Sequence, residues 1–469
     1  MIYFRTCAYN AEKTIRRTVE SVLSQTIPDF KYYILDNGST DSTRAIIDEY
    51  AERDDRIVVF YNKVNRKLEE NPSFWTLSND INDDDYLAFL DADDYYEENF
   101  LESMLEFMEK NSLDVAACGS YFENEDGVVG GKIIQQQDFL LRNATEYDTY
   151  FPFVHWNMRQ VWGKLYKGKV VKHKYEIDTP EWWPKAYGGD TINVMNCLRY
   201  SKGFGVLAKG LHHYQVSQKS VSYQWIEGRE DSDLLLDRFA RKFLMEKAGR
   251  ISEDNQRFLA IVYMNALKDT FNVLLNSNQT NAKIMQVSSK IFDEQTTREV
   301  LGVTYENGAG EKEKNDLLIY RKVLLEWAIS NYTTFDNTDK HHAYVFLSAH
   351  GDAIRGIISE QESYDLFQDK PELLKAIVNG QVGSIIRLLQ EYVQEKQSLD
   401  MLQIENIVFA QNLSAFLGLE DLYTAYSKLY IAELINQGCV EEAGRELSEW
   451  LSILPGDEEF INLRSRLEG

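Results

Sequence analysis

Apolar and polar positions along the first part of the chain fall into blocks that separate strands from helices. Ile2-Tyr3-Phe4-Arg5-Thr6-Cys7-Ala8 reads as a strand. Ile15, Val19, Val22 and Leu23 follow at helical spacing, with Asn10 as the expected N-cap and Pro28 as the stop. Tyr32-Tyr33-Ile34-Leu35 predicts a second strand, and Asp36 to Asp41 a turn into a helix carrying Ala45, Ile46, Ile47 and Tyr50. Ile57 to Tyr61 predicts a third strand, and Tyr86-Leu87-Ala88-Phe89-Leu90 a buried fourth. Strands alternating with helices in this way build a mostly parallel sheet with crossover helices. Such sheets bind ligands outside the carboxyl ends of their strands. The polar loops at 9–12, 36–41 and 91–94 all leave such ends, so they are expected to converge on one crevice.

Further along, a helix is expected near Glu98 to Glu109, a strand at Val115 to Cys118, and a hairpin-like stretch holding Gly127, Gly130 and Gly131. The region from Tyr147 to Tyr187 is dense in aromatic residues, most of them read as core packing. Trp182-Trp183 sits in a polar, Pro-flanked stretch and is expected to contact substrate. The segment Gly163 to Lys169 falls one residue short of a phosphate-binding loop, because Val170 stands where Ser or Thr is required. Beyond residue 226 strand signals fade and helical periodicity takes over. Pairs of helices are expected at 372–379, 382–396, 403–417, 420–437 and 440–453. The expected domains are 1–225, an α/β domain; 226–340, a helical subdomain; and 341–469, an all-helical end.

With 469 residues, more than one domain is required. The net charge of −25 argues against nucleic acid and against a polybasic membrane anchor. No apolar run is read as reaching the roughly 18 residues of a membrane span, and the N-terminus lacks the pattern of a signal peptide. Cys7, Cys118, Cys197 and Cys439 are scattered, which suits free thiols in a reducing cytosol.

Asp91-Ala92-Asp93-Asp94 follows the fourth strand. If the extended geometry continues, Asp91 and Asp93 point the same way. The tetrapeptide alone is either a solvated acidic turn or a site where a divalent cation offsets two carboxylates.

Taken together, Tyr9-Asn10-Ala11-Glu12, Ser24-Gln25-Thr26, Asp36-Asn37-Gly38-Ser39-Thr40-Asp41 and Leu90-Asp91-Ala92-Asp93-Asp94 resemble, in this order and spacing, a family 2 glycosyltransferase with the nucleotide-sugar-binding GT-A fold. The resemblance covers residues 1–225. It implies a nucleoside pocket lined by Cys7, Ala8 and Tyr9, with Glu12, Asp36, Asn37 and Ala92 beside it. Family members commonly carry two acidic residues after the second strand, the second reading the uracil edge; here Asn37 replaces it, and an amide donates as well as accepts. The DxD motif implies that Asp91 faces the ribose and Asp93 holds Mn or Mg against the two phosphates. Arg66 and Lys67 are candidates for clamping the diphosphate. Asp190, in Gly188-Gly189-Asp190-Thr191 at the head of a helix, matches the family's general base, which implies inversion at the anomeric carbon. In Leu211-His212-His213-Tyr214, His213 is the candidate for a further metal ligand. Ala425, Tyr430, Ala432, Gly438, Ala443, Leu447 and Pro455 resemble a degenerate tetratricopeptide pair.

The expected activity is transfer of a sugar from a nucleoside diphosphate sugar, read as a UDP-sugar, to a glycan or lipid-linked acceptor in bacterial cell-wall polysaccharide synthesis. The expected location is the cytoplasm or the inner face of the membrane, with room for peripheral membrane association and for a homo-oligomer formed through the helices. Two other readings compete. One is a protein glycosyltransferase that recruits a polypeptide through the helical array; the other is an idle GT-A scaffold that only binds.

Overall fold

A computed structural model of the protein describes residues 1–66, 81–173, 184–216, 224–305, 308–350, 353, 401–416, 418 and 420–468. The expectations placed on Lys67, Trp182, Trp183 and the helices at 372–379 and 382–396 lie outside these residues. The fold is the expected one: an α/β domain on a mostly parallel sheet, then an all-helical region. Chain contacts divide the molecule into Met1–Val273 and Leu274–Gly469.

The first unit is built on a ten-stranded sheet. Its strands are β1 (Ile2–Ala8), β2 (Lys31–Asp36), β3 (Ile57–Tyr61), β4 (Tyr86–Phe89), β5 (Tyr95–Tyr96), β6 (Val115–Glu123), β7 (Val129–Ile133), β8 (Phe139–Leu141), β9 (Lys164–Lys167) and β10 (Phe204–Gln215). The order is β3-β2-β1-β4-β9-β6-β10-β5, with β7 on β6 and β8 on β10. Strands β3, β2, β1 and β4 run parallel, and β9 is antiparallel to both β4 and β6. The glycine-rich stretch is the expected hairpin, β6 to β7. Strand β10 is long and runs through His212 and His213, with register shifts near Gly210.

Alternation along the strands makes two cores. Ala88 in β4 and Ala116 and Cys118 in β6 face helices α1 (Ile15–Leu23), α2 (Thr43–Ala51) and α3 (Phe100–Asn111). Leu87, Val115 and Ala117 face the other way, into a core shared with α4 (Ala144–Val154), α5 (Gly168–Val171), α6 (Gly189–Arg199), α7 (Arg229–Ala248) and α8 (Glu253–Leu275). Tyr147, Phe151, His155, Trp162 and Tyr166 are buried, so this part of the aromatic region is core. Helices α7 and α8 belong largely to this unit because Phe239, Phe243, Leu244 and Leu259 complete that core.

One expectation is corrected by α8. Among the described residues it is long and apolar enough, by length and composition, to cross a membrane. Leu259, Tyr263, Met264, Leu267 and Phe271 on it are buried. A helix that fills a core passes the same compositional test as a membrane span.

In the second unit α9 (Asn281–Asp293), α10 (Gln295–Gly302), α11 (Glu311–Ser330) and α12 (Asn337–Ala349) precede α13 (Met401–Phe416), α14 (Glu420–Asn436), α15 (Val440–Ile453) and α16 (Glu458–Glu468). The last four pack as successive neighbours, with Ile431, Leu447, Trp450, Phe460 and Leu463 buried between α14, α15 and α16.

The turn after β2 brings the backbone within van der Waals reach of the segment after β3. Gly38 has φ +79°, and a Cβ there would lie 2.4 Å from the Val64 carbonyl carbon. Gly38→Ala is therefore expected to cost about 1–3 kcal/mol, from left-handed strain and the forced separation. Denaturant unfolding of the variant measures it.

Candidate active site

The loops at the carboxyl ends of β1 and β2 are stitched together by hydrogen bonds. Asn10 does not cap α1. It takes φ +49°, and its side-chain oxygen accepts from the Thr40 N–H at 2.8 Å. Its own N–H donates to Ser39 Oγ at 3.0 Å. The Ala11 N–H donates to Thr43 Oγ1 at 2.7 Å, and Glu12 accepts from the Ser42 N–H at 3.0 Å. Glu12 thus supports the start of α2 from an exposed position. Tyr9 is also exposed, at 46%, while Ala8 is fully buried. Asp36 is buried and accepts from the Ser39 N–H at 3.1 Å.

Asn37 has its amide fully engaged. Its Nδ2 donates to Asn65 Oδ1 at 2.8 Å and to the Arg66 carbonyl at 2.7 Å. Its Oδ1 accepts from Asn62 Nδ2 at 2.7 Å and from the Arg66 N–H at 3.2 Å. The expected base-reading position therefore organises the segment after β3, and Arg66 is tied to it through its backbone.

The acidic tetrapeptide is held by α1. Thr14 and Thr18, one turn apart, donate to the Ala92 carbonyl at 2.9 and 3.0 Å, and Thr18 also reaches the Asp94 carbonyl at 2.8 Å. Arg17 Nη2 donates to the Asp93 carbonyl at 2.9 Å and to Gln215 Oε1 at 2.6 Å. Ala92 thus contributes its carbonyl to the scaffold, with its side chain buried. Asp94 does not cap the following helix, whose N-cap is Asn99. It is fully buried and accepts from the Gln215 N–H at 2.8 Å. Its other oxygen lies 3.2 Å from His212 Nε2 but outside hydrogen-bond geometry, leaving both atoms without a hydrogen-bond partner. His212 packs under Trp162, ring to ring at 4.4 Å, and burial holds it neutral, well below the usual histidine range.

His213 has both ring nitrogens engaged: Nδ1 with Glu123 at 2.6 Å, Nε2 with Glu97 at 2.8 Å. It also stacks on Tyr95 at 4.2 Å. As arranged here it closes the edge of the sheet, and a bound cation would have to displace one of these carboxylates.

The remaining acids lie within electrostatic reach of one another. Asp91 and Asp190 keep solvent-facing surface, yet protein crowds closely round both. That crowding raises the Asp91 pKa well above the carboxylate range, and the charges of Asp94, Asp190 and Asp93 add to it. Asp93 is raised by burial, with the Arg17 charge acting in the opposite sense. Cys7 belongs to the same locality: burial pushes its thiol to about 12, helped by Asp91 and Asp36. Burial raises Asp190 as well, opposed by Lys164. Like charges so placed disfavour ionisation unless a cation joins them. The uncompensated Asp91 and the orphaned oxygen of Asp94 are what a divalent cation would satisfy, so the residues present fit one. Among the described residues, no three His, Cys, Asp or Glu side chains already stand at ligand distances.

Several of these contributors were not singled out from sequence: Thr14, Arg17, Thr18, His212 as distinct from His213, and Lys164. The four-residue step from Thr14 to Thr18 places two hydroxyls on one face of α1, which was the available signal. Lys164 carried none. It is 1% exposed, its ammonium donates to the carbonyls of Gln160 and Trp162, and burial lowers its pKa to about 7.

The depressed Lys164 makes a prediction with a definite sign. Between about pH 7 and about pH 10 the unfolded chain binds a proton that the folded chain has released, so stability rises with pH there. Lys164→Met removes this term. The stability difference measured by denaturant unfolding should shift towards wild type from pH 7 to pH 10, by up to about 1.4 kcal/mol per pH unit. A difference independent of pH would contradict the assignment.

Comparison with known proteins agrees with this geometry. Residues 5–161 match the family model described as Glycosyl transferase family 2. A putative teichuronic acid biosynthesis glycosyltransferase, TuaG of Bacillus subtilis, is 37% identical over 138 residues, 29% of this chain and 52% of the relative. The uncharacterized glycosyltransferase EpsJ of Bacillus subtilis is 31% identical over 223 residues, 46% of this chain and 60% of the relative. The Escherichia coli UDP-Glc:alpha-D-GlcNAc-diphosphoundecaprenol beta-1,3-glucosyltransferase WfaP is 32% identical over 123 residues, 26% of this chain and 47% of the relative. The chain thus spans about half the length of these relatives. Among solved structures, S. aureus TarS 1-349 in complex with UDP-GlcNAc aligns over 70% of this chain and 91% of its own, with a TM-score of 0.47 and 15% identity. That likeness is too loose to bear on function. The acids described above follow β1, β2 and β4 or open α6, and the stretch that matches the glycosyltransferase family 2 model, residues 5–161, holds these strands except the start of β1 and does not reach α6.

Proposed function

We propose that the protein is an inverting, metal-dependent glycosyltransferase. Its donor is a nucleoside diphosphate sugar, read as a UDP-sugar, and its acceptor a hydroxyl of a cell-surface glycan precursor. The observation that carries this reading is that Asp91, after β4, is acted on by the charges of Asp93 and of Asp190 at the head of α6, while Asp91 and Asp36, after β2, both act on Cys7. The names of the relatives, teichuronic acid biosynthesis and a UDP-glucose-dependent glucosyltransferase among them, support the substrate class.

In this reading the nucleoside rests against Cys7 and Tyr9, the fully buried Ala8 serving only as backing, and Asp91 accepts from the ribose. Asp93, with the orphaned Asp94 oxygen close behind it, would hold Mn or Mg, which supplies positive charge against the departing diphosphate. Asp190 accepts the proton of the acceptor hydroxyl as that oxygen attacks the anomeric carbon. One displacement with one base inverts the anomeric centre. A raised pKa makes Asp190 a stronger base than an ordinary carboxylate, while the nearby Lys164 charge favours the ionised form it must hold before reaction. Activity is therefore expected to fall on acidification at a pH above the usual carboxylate range. The helical pairs of the second unit are read as a tetratricopeptide-like array for acceptor or partner binding, and the setting as the cytoplasm or the inner membrane face.

Screening UDP-, GDP- and dTDP-sugars with Mn2+ for release of nucleoside diphosphate tests the reading. Asp190→Asn is expected to lower kcat about 10²–10⁴-fold, and Asp93→Ala to abolish dependence on added metal. Full activity in both variants, or no turnover or binding of any donor, would overturn it. Labelling of a polypeptide and not of a glycan lipid would move the acceptor assignment to protein.

A further inference from the structure

The short segment that delivers Asp190 is gripped from outside the family-matched residues. Residues 185 to 188 meet residues 231 to 236 of α7 in order. Lys185 Nζ lies 3.9 Å from Asp231 Oδ2. The Ala186 N–H donates to Ser232 Oγ at 3.2 Å. The Tyr187 hydroxyl donates to Asp233 Oδ1. Gly188, at φ +97°, passes so close to Leu236 that a Cβ would come within 2.7 Å of it. Beyond Asp190, Thr191 Oγ1 donates to the Arg159 carbonyl at 3.1 Å.

Asp233 is the centre of this grip. It is 2% exposed, and its second oxygen accepts from Thr270 Oγ1 of α8 at 2.6 Å. Thr270 in turn accepts from Arg229 Nε at 3.2 Å, and the Arg229 guanidinium lies over the Tyr187 ring at 4.7 Å. Tyr187 is therefore held at its hydroxyl and at its face by one closed network from two helices. A cavity lies against the segment, lined by Tyr187, Thr191, Asp233 and Leu236 together with Arg159 and His155. Where packing leaves space, directional polar contacts fix the backbone.

We propose that α7 and α8 are part of the catalytic apparatus, and that Asp233 is a positioning residue: it holds Tyr187, and through the Tyr187–Gly189 backbone it sets where Asp190 stands. The proposal rests on the reading of Asp190 as the base. It makes the role of this helical extension local to the reaction, in addition to any role in the core. A base displaced by about 1 Å loses up to about 10²-fold in rate without any change in donor binding.

The test compares Asp190→Asn, Asp233→Asn, Tyr187→Phe, Thr270→Val and the conservative Thr270→Ser. For each, kcat and KM for the donor found in the screen are measured, with calorimetric binding of UDP, GDP and dTDP in the presence of Mn2+. Asp233→Asn, Tyr187→Phe and Thr270→Val should lose at least about tenfold in kcat. Their donor KM and nucleoside diphosphate affinity should stay within about twofold of wild type, and Thr270→Ser should recover most of the rate. Tyr187→Phe keeps the ring and removes only the hydroxyl, so it remains informative if Asp233→Asn folds poorly. If Asp190→Asn is inactive while Tyr187→Phe and Thr270→Val keep wild-type kcat, the positioning role is refuted and the base assignment stands. If Asp190→Asn itself keeps wild-type kcat, the base assignment falls and the positioning role falls with it. A loss confined to nucleoside diphosphate affinity would also refute positioning.

Discussion

Crowded negative charge at the carboxyl edge of the sheet is the constraint on which the rest of the first unit depends. Asp91, Asp93, Asp94 and Asp190 come together where β1 and β4 lie side by side and their loops diverge. Such a cluster does not assemble by its own energetics. It is imposed by a scaffold whose hydrogen bonds go to backbone rather than to the carboxylates: Thr14 and Thr18 on the Ala92 and Asp94 carbonyls, Arg17 on the Asp93 carbonyl. The carboxylates are thereby placed without being neutralised. Acids crowded at one place, where local rules are satisfied elsewhere, are the arrangement on which the proposed function rests.

The same logic explains the environment of the crevice. His212 is buried and neutral under Trp162, so it adds shape and no charge. Lys164 is buried with carbonyl partners only, and it is the cation, among the described residues, whose charge reaches Asp190. Arg17 is drawn towards Gln215 and the Tyr95 ring. Among the described residues, positive charge is kept close to Asp91, Asp93 and Asp190 but not paired with them at contact distance. Asp233 gives the contrasting case: a carboxylate with both oxygens taken by hydroxyl donors, suited to holding structure.

Much of the fold was legible in the sequence because strand-sized apolar runs and helical periodicity rarely coincide. The four parallel strands, the helix α6 that opens beside Asp190, and α14 and α15 stand within a residue or two of their expected places. That the polar loops leave the carboxyl ends of neighbouring strands followed from topology alone. What stayed hidden depends on partners distant in the chain. Asn10 had the composition of a helix cap, but the β2 loop competes for its side chain. Asn37 was read against a base, but the segment after β3 saturates its amide. His213 had a metal-ligand residue type, but Glu123 and Glu97 reach it from 90 and 116 residues away in sequence. Lys164 gave no signal, since nothing local tells a buried lysine from a surface one. The apolar character of α8 is spread around a polar pattern, and only its partners show that it fills a core.

The central claim is that the acid crevice is a metal-assisted nucleoside diphosphate site, and calorimetric titration of UDP and GDP with and without Mn2+ addresses it most directly. Repeating the titration in buffers of different ionisation enthalpy counts the protons released. The account predicts binding that requires the metal, releases protons as Asp91 and its raised neighbours ionise, and is lost in Asp93→Ala. Binding that is indifferent to metal and to Asp93, or no binding of either nucleotide under any condition, would contradict it.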